Sequence, residues 1–276
     1  MIDLHTHTTA SDGRCSPGEL VARAKSAGVT VLAVTDHDTV AGCEEAASAA
    51  KAAGIEFVDG IEITAVCEGA DIHVLGYFVD RRSSALLAFL AQQRRQRIDR
   101  MREMVGRLQQ HGIALDAETI LEPALQDPRR AVGRPWIARA LVAGGHVRTT
   151  NEAFDRWLAR GRPAFVPRAG AGPADVFAKV HDAGGVASFA HPALVGRDGW
   201  IDGFAAGGLD ALEAYHSEHD AAATSRYIEI AGRLGLAVSG GSDFHDDPSH
   251  GPSEPGAVSL PRADYERLAA RRPRRP

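Results

Sequence analysis

Val31-Leu32-Ala33-Val34-Thr35-Asp36-His37-Asp38 is the stretch on which the reading of this chain turns. Its apolar run is short and partly β-branched, the pattern of a strand buried in a parallel sheet. The run stops abruptly in two carboxylates and an imidazole. Charged groups are costly to bury unless they are paired. Their place directly after a buried strand therefore points to a site at the strand's carboxyl end, where α/β folds carry their chemistry.

Outward from this stretch, strand-like and helix-like patterns alternate. Strands are expected at Ile2 to His7, Val29 to Thr35, Glu56 to Thr64 and Asp71 to Val79, with helices from Ser16 to Ala27 and Ala41 to Ala53. Ser16-Pro17-Gly18-Glu19 supplies an N-cap, a proline at the first helical position and an acid at the third. From Ser84 to Arg160 the strand signal disappears and helical patterns take over, broken near Gly112, Pro123 and Pro128. The alternation returns with a strand from Ala164 to Pro167, a helix from Pro173 to Ala183, strands Val186 to Phe189 and Leu209 to Tyr215, a helix from Ala221 to Leu234 and a strand from Leu236 to Ser239. The expectation is an α/β fold with a mostly parallel sheet. Residues 1–83 and 161–266 would form the catalytic unit, 84–160 a helical insertion, and 267–276 a basic, flexible tail.

The composition narrows the class. The 276 residues are 44% hydrophobic and 24% charged with a net charge of −5, which excludes a disordered chain and an overall basic footprint for nucleic acid. An anionic ligand would have to be attracted locally. Cys15, Cys43 and Cys67 are too few and too irregular for a disulfide framework or a thiolate metal site, which fits a reducing compartment. Met1 leads straight into Ile2-Asp3-Leu4-His5 without a signal-peptide pattern, and no stretch reads as a membrane span. A cytoplasmic enzyme with no membrane contact and no obligate protein partner is expected.

Further strands repeat the pattern of the opening stretch. His5 and His7 are two apart in a strand, so both rings face one side and can reach one ion. Asp12, before Gly13, reads alone as a turn residue. Glu62 stands inside Ile61-Glu62-Ile63, where a buried carboxylate calls for a cationic partner, and His73 sits between Ile72 and Val74, a position that would also suit a core histidine bonded to backbone. His191 follows Ser188-Phe189-Ala190, and Asp243 and His245 follow Gly240-Gly241-Ser242. Each has a bland structural explanation by itself. A His, Asp or Glu on strand after strand does not.

These residues resemble the polymerase-and-histidinol-phosphatase (PHP) family of phosphoesterases. The matching signatures are His5-Thr6-His7, Ser11-Asp12-Gly13, Thr35-Asp36-His37, Gly60-Ile61-Glu62, His73, Ala190-His191-Pro192 and Ser242-Asp243-Phe244-His245, in order and across almost the whole chain. The resemblance implies a distorted (β/α)7 barrel and three divalent metal ions, manganese foremost, with iron or zinc as alternatives. One ion would be held by His5, His7, Glu62 and Asp243, a second by Glu62, His73 and His191, and a third by Asp12, His37 and His245. Asp12, His37, His191, Asp243 and His245 would be the residues closest to catalysis, and a metal-activated hydroxide would attack phosphorus. Members of the stand-alone bacterial branch hydrolyse nucleoside 3′,5′-bisphosphates or AMP-like compounds, or act as 5′-3′ exoribonucleases on short RNA.

Substrate contacts follow in part from two further motifs of that resemblance, Gly133 to Arg139 and Gly161 to Arg168. Arg134, Arg162 and Arg168 are candidate phosphate forks. His216 is a candidate substrate contact and, with His219 and the neighbourhood of His37, a candidate acid for the leaving group. Trp136 stands where the branch has His, a departure affecting one such contact. Trp136, Trp157 and Phe165 could stack a base, although core packing suits Phe165 better. The basic helical run Arg94 to Arg102 is read first as a solvated face and otherwise as the rim of the site, where it would capture short nucleic acid in a salt-dependent way. Two other classes compete: an amidohydrolase-type attack on a carbon–nitrogen bond, and a non-catalytic metal-binding module, which predicts missing ligands.

Overall fold

The computed structural model describes residues 1–247 and 251–273. In chain order its elements are β1 (Ile2–Asp3), α1 (Pro17–Ser26), β2 (Val31–Val34), α2 (Cys43–Ala53), β3 (Glu56–Cys67), β4 (Ala70–Tyr77), α3 (Ser84–Gln110), α4 (Ala117–Gln126), α5 (Arg134–Ala143) and α6 (Thr150–Ala153), the last continued by a π-helical turn, Phe154–Leu158. There follow α7 (Pro173–Asp182), β5 (Val186–Phe189), α8 (Pro192–Val195), α9 (Ile201–Ala206), β6 (Ala211–His216), α10 (Ala221–Leu234), β7 (Ala237–Gly241) and α11 (Arg262–Ala269).

The strands form one seven-stranded sheet in sequence order. β1–β2, β2–β3, β5–β6 and β6–β7 pair in parallel, while β4 runs antiparallel to both β3 and β5. The single reversed strand follows from the short Glu68-Gly69 connection between β3 and β4, which permits a hairpin and no crossover. The sheet nearly closes on itself. Leu4 N–H donates to Gly240 O at 3.3 Å, and Thr6 bridges Phe244 in parallel. The result is the distorted α/β barrel expected from the sequence.

Burial explains the strand composition. All four residues of β2 and all four of β5 are buried, as the short apolar runs require. The start of α1 is the capping box that Ser16 and Glu19 predict. Helices α3 to α6 and their connections carry a hydrophobic cluster separate from that of the barrel, including Met104, Leu108, Leu121, Ile137 and Leu158. No helix among the described residues is long and apolar enough to cross a membrane.

Three expectations are corrected. Residues 164–167 form no strand, because Ala164 and Val166 bury into the helical cluster while Arg100 and Arg107 take the carbonyls of Val166 and Phe165. The basic run on α3 is not simply a solvated face: Arg94 and Arg97 are buried, Arg100 is half-buried, and only Arg95 and Arg102 point to water. The expected tail from residue 267 begins inside α11, whose Leu268 is fully buried in the barrel core. Residues 274–276 of that tail lie outside the described residues.

Candidate metal centre

Sheet closure brings the strand ends together. Asp243 N–H donates to His5 O at 2.8 Å and His7 N–H to Phe244 O at 2.9 Å, so the segment after β1 lies against the segment after β7. On the other side Asp38 N–H donates to Glu62 O at 2.8 Å and His37 bridges Glu62, which ties the end of β2 to β3. His73 stands opposite Thr64 in the β3–β4 ladder, on the same face as Glu62, and Ala190 N–H donates to His73 O at 3.0 Å, which sets His191 beside it. The glycines that end β7 serve close approach: a Cβ on Gly241 would run into the backbone nitrogen of His5. Asp38, His191 and Asp243 have φ of 50°, 29° and 55°. Such left-handed backbone is strained for residues with a side chain and concentrates at functional sites.

Glu62 is at the centre of the side-chain cluster. Its Oε2 lies 3.5 Å from His5 Nε2, 3.3 Å from His7 Nε2 and 2.9 Å from His37 Nδ1, and its Oε1 lies 2.7 Å from His73 Nδ1 and 3.1 Å from His191 Nε2. Asp243 Oδ1 is 3.2 Å from His5 Nε2 and 3.1 Å from His7 Nε2. Asp12 faces His245 Nε2 at 3.4 Å, His37 Nε2 at 3.6 Å and His7 Nδ1 at 3.8 Å.

Many of these atoms are buried without an aligned hydrogen bond: His5 Nε2, both ring nitrogens of His7, His37 Nδ1 and Glu62 Oε2. Ligands about 2.1 Å from a common cation stand roughly 3.0–3.4 Å from one another. The observed separations therefore fit divalent cations between the groups. The sets His5–His7–Glu62, His37–Glu62–His73 and His7–Asp12–His37–His245 each offer ligand atoms within 4.8 Å of one another. Mixed imidazole and carboxylate donors suit manganese, iron or zinc.

The electrostatics are correspondingly tense. Burial depresses the imidazolium of His7, but the close carboxylates of Asp243 and Glu62 outweigh it and raise the pKa to about 10. His37, for which burial wins, is lowered to about 4. Burial opposes ionisation of Glu62, Asp12 and Asp243, yet the surrounding imidazoles hold all three well below the carboxylate range.

A second layer orients these groups. Glu213 accepts the Nδ1–H of His5 at 3.0 Å and the backbone N–H of His191 at 2.7 Å. Asp36 accepts from Thr8 and Ser11 and so braces the loop that carries Asp12. Sequence reading passed over Glu213, although Leu212-Glu213-Ala214 places a carboxylate in an apolar strand, the signal that singled out Glu62.

The cluster opens into a cavity of about 580 Å³. One wall is basic, with Arg97, Arg100, Arg134, Arg139 and Arg168; another is apolar, with Met101, Met104, Val132, Phe154 and Leu194. Asp38, which sequence reading assigned no role, holds Arg97 Nε at 2.6 Å and Arg168 Nη2 at 2.7 Å. Burial pulls the Arg100 and Arg168 pKa values down to about 10, and Arg100 Nη2 and Arg168 Nε are buried without acceptors. Arg134 is desolvated too, forms no ion pair among the described residues, and packs its guanidinium 5.7 Å from the centre of the Phe154 ring.

Other expected substrate contacts lie elsewhere. Arg162 is exposed and does not line the cavity. His216 is buried behind Asp243: its Nδ1 accepts the Glu218 N–H at 3.1 Å, and its Nε2 is turned towards Asp243 Oδ2 at 3.4 Å. His219 lies behind His216, with ring centres 5.2 Å apart. Trp136, Trp157 and Phe165 do not line the cavity, and Phe154 is the aromatic ring that does.

Fold and site together define a metal-dependent phosphoesterase. Residues 3–131 match the PHP domain. The chain is 39% identical over 250 residues to a 5′-3′ exoribonuclease from Haemophilus influenzae, covering 88% of this chain and 89% of the relative. It is 34% identical over 251 residues to a 3′,5′-nucleoside bisphosphate phosphatase from Chromobacterium violaceum, covering 88% and 87%. A solved structure from Bifidobacterium adolescentis, provisionally named a metal-dependent phosphoesterase, superposes with a TM-score of 0.89 at 33% identity over 98% of this chain and 96% of that one. The chain belongs to the PHP family, and it is a hydrolase.

Proposed function

We propose that this protein hydrolyses phosphate esters of small nucleotides, nucleoside 3′,5′-bisphosphates or AMP-like monophosphates, with three divalent cations, manganese first. His5, His7, Glu62 and Asp243 would hold one, Glu62, His73 and His191 the second, and Asp12, His37 and His245 the third. One observation carries the reading: a buried, mutually facing His/Asp/Glu cluster shares its cavity with desolvated arginines whose N–H groups lack acceptors. Bound there, the cations would supply water of lowered pKa and neutralise charge on the phosphoryl oxygens.

The chain's own residues do the rest. Arg134 and Arg168 offer forked N–H donors to phosphate oxygens. Asp38 fixes the plane of Arg168, and Glu213 fixes the rings and backbone around His5 and His191. The apolar wall of Met101, Met104, Phe154 and Leu194 suits a nucleobase, with Phe154 offering a face to stack on. The carboxylate-rich cluster and cationic wall favour a phosphate ester over the neutral carbonyl of an amidohydrolase substrate. An inactive metal-binding module is disfavoured because no expected ligand position is missing.

The second reading, a 5′-3′ exoribonuclease on short RNA, is supported by the relative from Haemophilus influenzae. The test is chromatography after incubating manganese-loaded protein with AMP, adenosine 3′,5′-bisphosphate and a short 5′-phosphorylated RNA. AMP plus phosphate from the bisphosphate supports the leading reading, and mononucleotides from RNA the second. No turnover of any of the three overturns both.

A further inference from the structure

The loop Thr9-Ala10-Ser11-Asp12 lies between β1 and α1, and Ala10, Ser11 and Asp12 are buried. Buried carbonyls need donors. All four of this loop's carbonyls find one in a single stretch more than a hundred residues later. Arg130 Nε donates to Thr9 O at 3.0 Å, Ala131 N–H to Ala10 O at 2.9 Å, Trp136 Nε1 to Ser11 O at 3.1 Å and Arg139 Nη1 to Asp12 O at 3.2 Å. The donors are mutually braced, with the Arg130 guanidinium 5.8 Å from the centre of the Trp136 ring. On its far side the loop is held by Asp36, through the hydroxyls of Thr8 and Ser11, each at 2.6 Å.

We propose that residues 130–139 are a positioning clamp for Asp12: by gripping four successive carbonyls of its loop, the helical segment sets where the Asp12 carboxylate meets His37 and His245, and so how tightly that group holds its cation. The inference rests on reading Asp12, His37 and His245 as a cation site. Trp136 acquires a role here, since its indole N–H belongs to the clamp although its ring stays out of the cavity. Neither β1 nor α1 donates to these four carbonyls, so the position of a barrel ligand depends on how a separate hydrophobic cluster is docked.

The test uses the full-length protein with Trp136→Phe, which keeps an aromatic ring but removes the N–H, Arg139→Gln, and both together. Manganese binding is followed by calorimetry and by metal content after gel filtration, beside Asp12→Ala and Asp12→Ala combined with the clamp pair. The expected result is that one cation binds roughly tenfold more weakly in the clamp pair, as when the support behind a ligand is lost. The other cations keep their affinity, and the clamp pair adds nothing in the Asp12→Ala background. Arg139→Gln, at a half-buried position on the cavity wall, keeps the test available if Trp136→Phe folds poorly.

Unchanged manganese affinities in the clamp variants, beside loss of one cation in Asp12→Ala, overturn the clamp alone. A full metal count in Asp12→Ala overturns both the clamp and the cation reading beneath it. Equal weakening of every cation together with a lower melting temperature of the metal-free protein shows a merely structural contact, and also overturns the clamp.

Discussion

Glu213 and His5 form a buried pair in which the Glu213 carboxylate takes the Nδ1–H of His5 at 3.0 Å and leaves His5 Nε2 facing Glu62 and Asp243. The hydrogen bond fixes which nitrogen carries the lone pair, the role a carboxylate plays behind a metal-binding histidine. Glu213→Ala is expected to weaken manganese binding roughly 10- to 100-fold. Glu213→Gln, whose amide oxygen still accepts, is expected to lose less. Calorimetric titration checks both, and a parental affinity in the alanine variant would remove Glu213 from the site.

Asp243 and His191 are proposed ligands of the cations that would carry the chemistry. Replacing either with Ala is expected to lower kcat by about 1,000-fold, corresponding to the several kcal/mol that a bound cation contributes at 1.4 kcal/mol per tenfold. Rates near the parent's at full metal occupancy would show that the ligands are elsewhere.

The arginines differ in their exposure to the cavity. Arg134→Met is expected to raise KM for a nucleoside bisphosphate by about tenfold or more, the loss of a charge-assisted hydrogen bond to phosphate. Arg162→Met, at an exposed position outside the cavity, is expected to leave KM unchanged. Steady-state kinetics on the two variants decides the matter, and equal effects would contradict the cavity as the phosphate site.

Asp38 is wholly buried and carries both Arg97 and Arg168. Asp38→Asn leaves two buried guanidinium groups without their counter-charge and is expected to cost about 3–5 kcal/mol of stability. Urea unfolding of metal-free protein measures it. A loss below about 1 kcal/mol would mean that water reaches these groups freely.

The pH dependence follows from His7. In metal-free protein its pKa is raised from the ordinary 6.5 to about 10, so the fold favours the imidazolium. That stabilisation is complete below pH 6.5 and disappears as the pH rises through about 10. A cation needs the unprotonated ring, so its affinity should climb across the same window and its binding should release protons. Melting curves in a chelating buffer should fall from pH 6.5 to 10, and calorimetry in buffers of different ionisation heat should register the proton. A flat profile with no proton release would contradict the raised pKa.

Much of the barrel was legible locally. The β2 run, the capped start of α1 and the polar residues ending apolar strands reveal themselves among near neighbours in sequence, because burial and hydrogen bonding constrain those residues directly. Glu213 bore the same mark as Glu62 and was readable on the same ground. The inward face of α3 was not. Arg94, Arg97 and Arg100 follow a helical period that suits water equally well, and they are drawn wholly or partly out of water by distant partners: Asp38 and Thr64 on the barrel side, and the carbonyls of Pro128, Val132 and Val166 on the other.

The sequence by itself determined the alternating α/β architecture and which side chains are too polar to be buried unpaired. Tertiary structure decided which of them meet: His5 with Glu213, Asp38 with two arginines, Asp12 under Trp136 and Arg139, Arg134 inside the cavity and Arg162 outside it. The physical reason is range. Periodicity and desolvation cost are properties of a few adjacent residues, whereas these encounters join groups tens to hundreds of positions apart and exist only once the sheet has closed and the helical segment has docked against it.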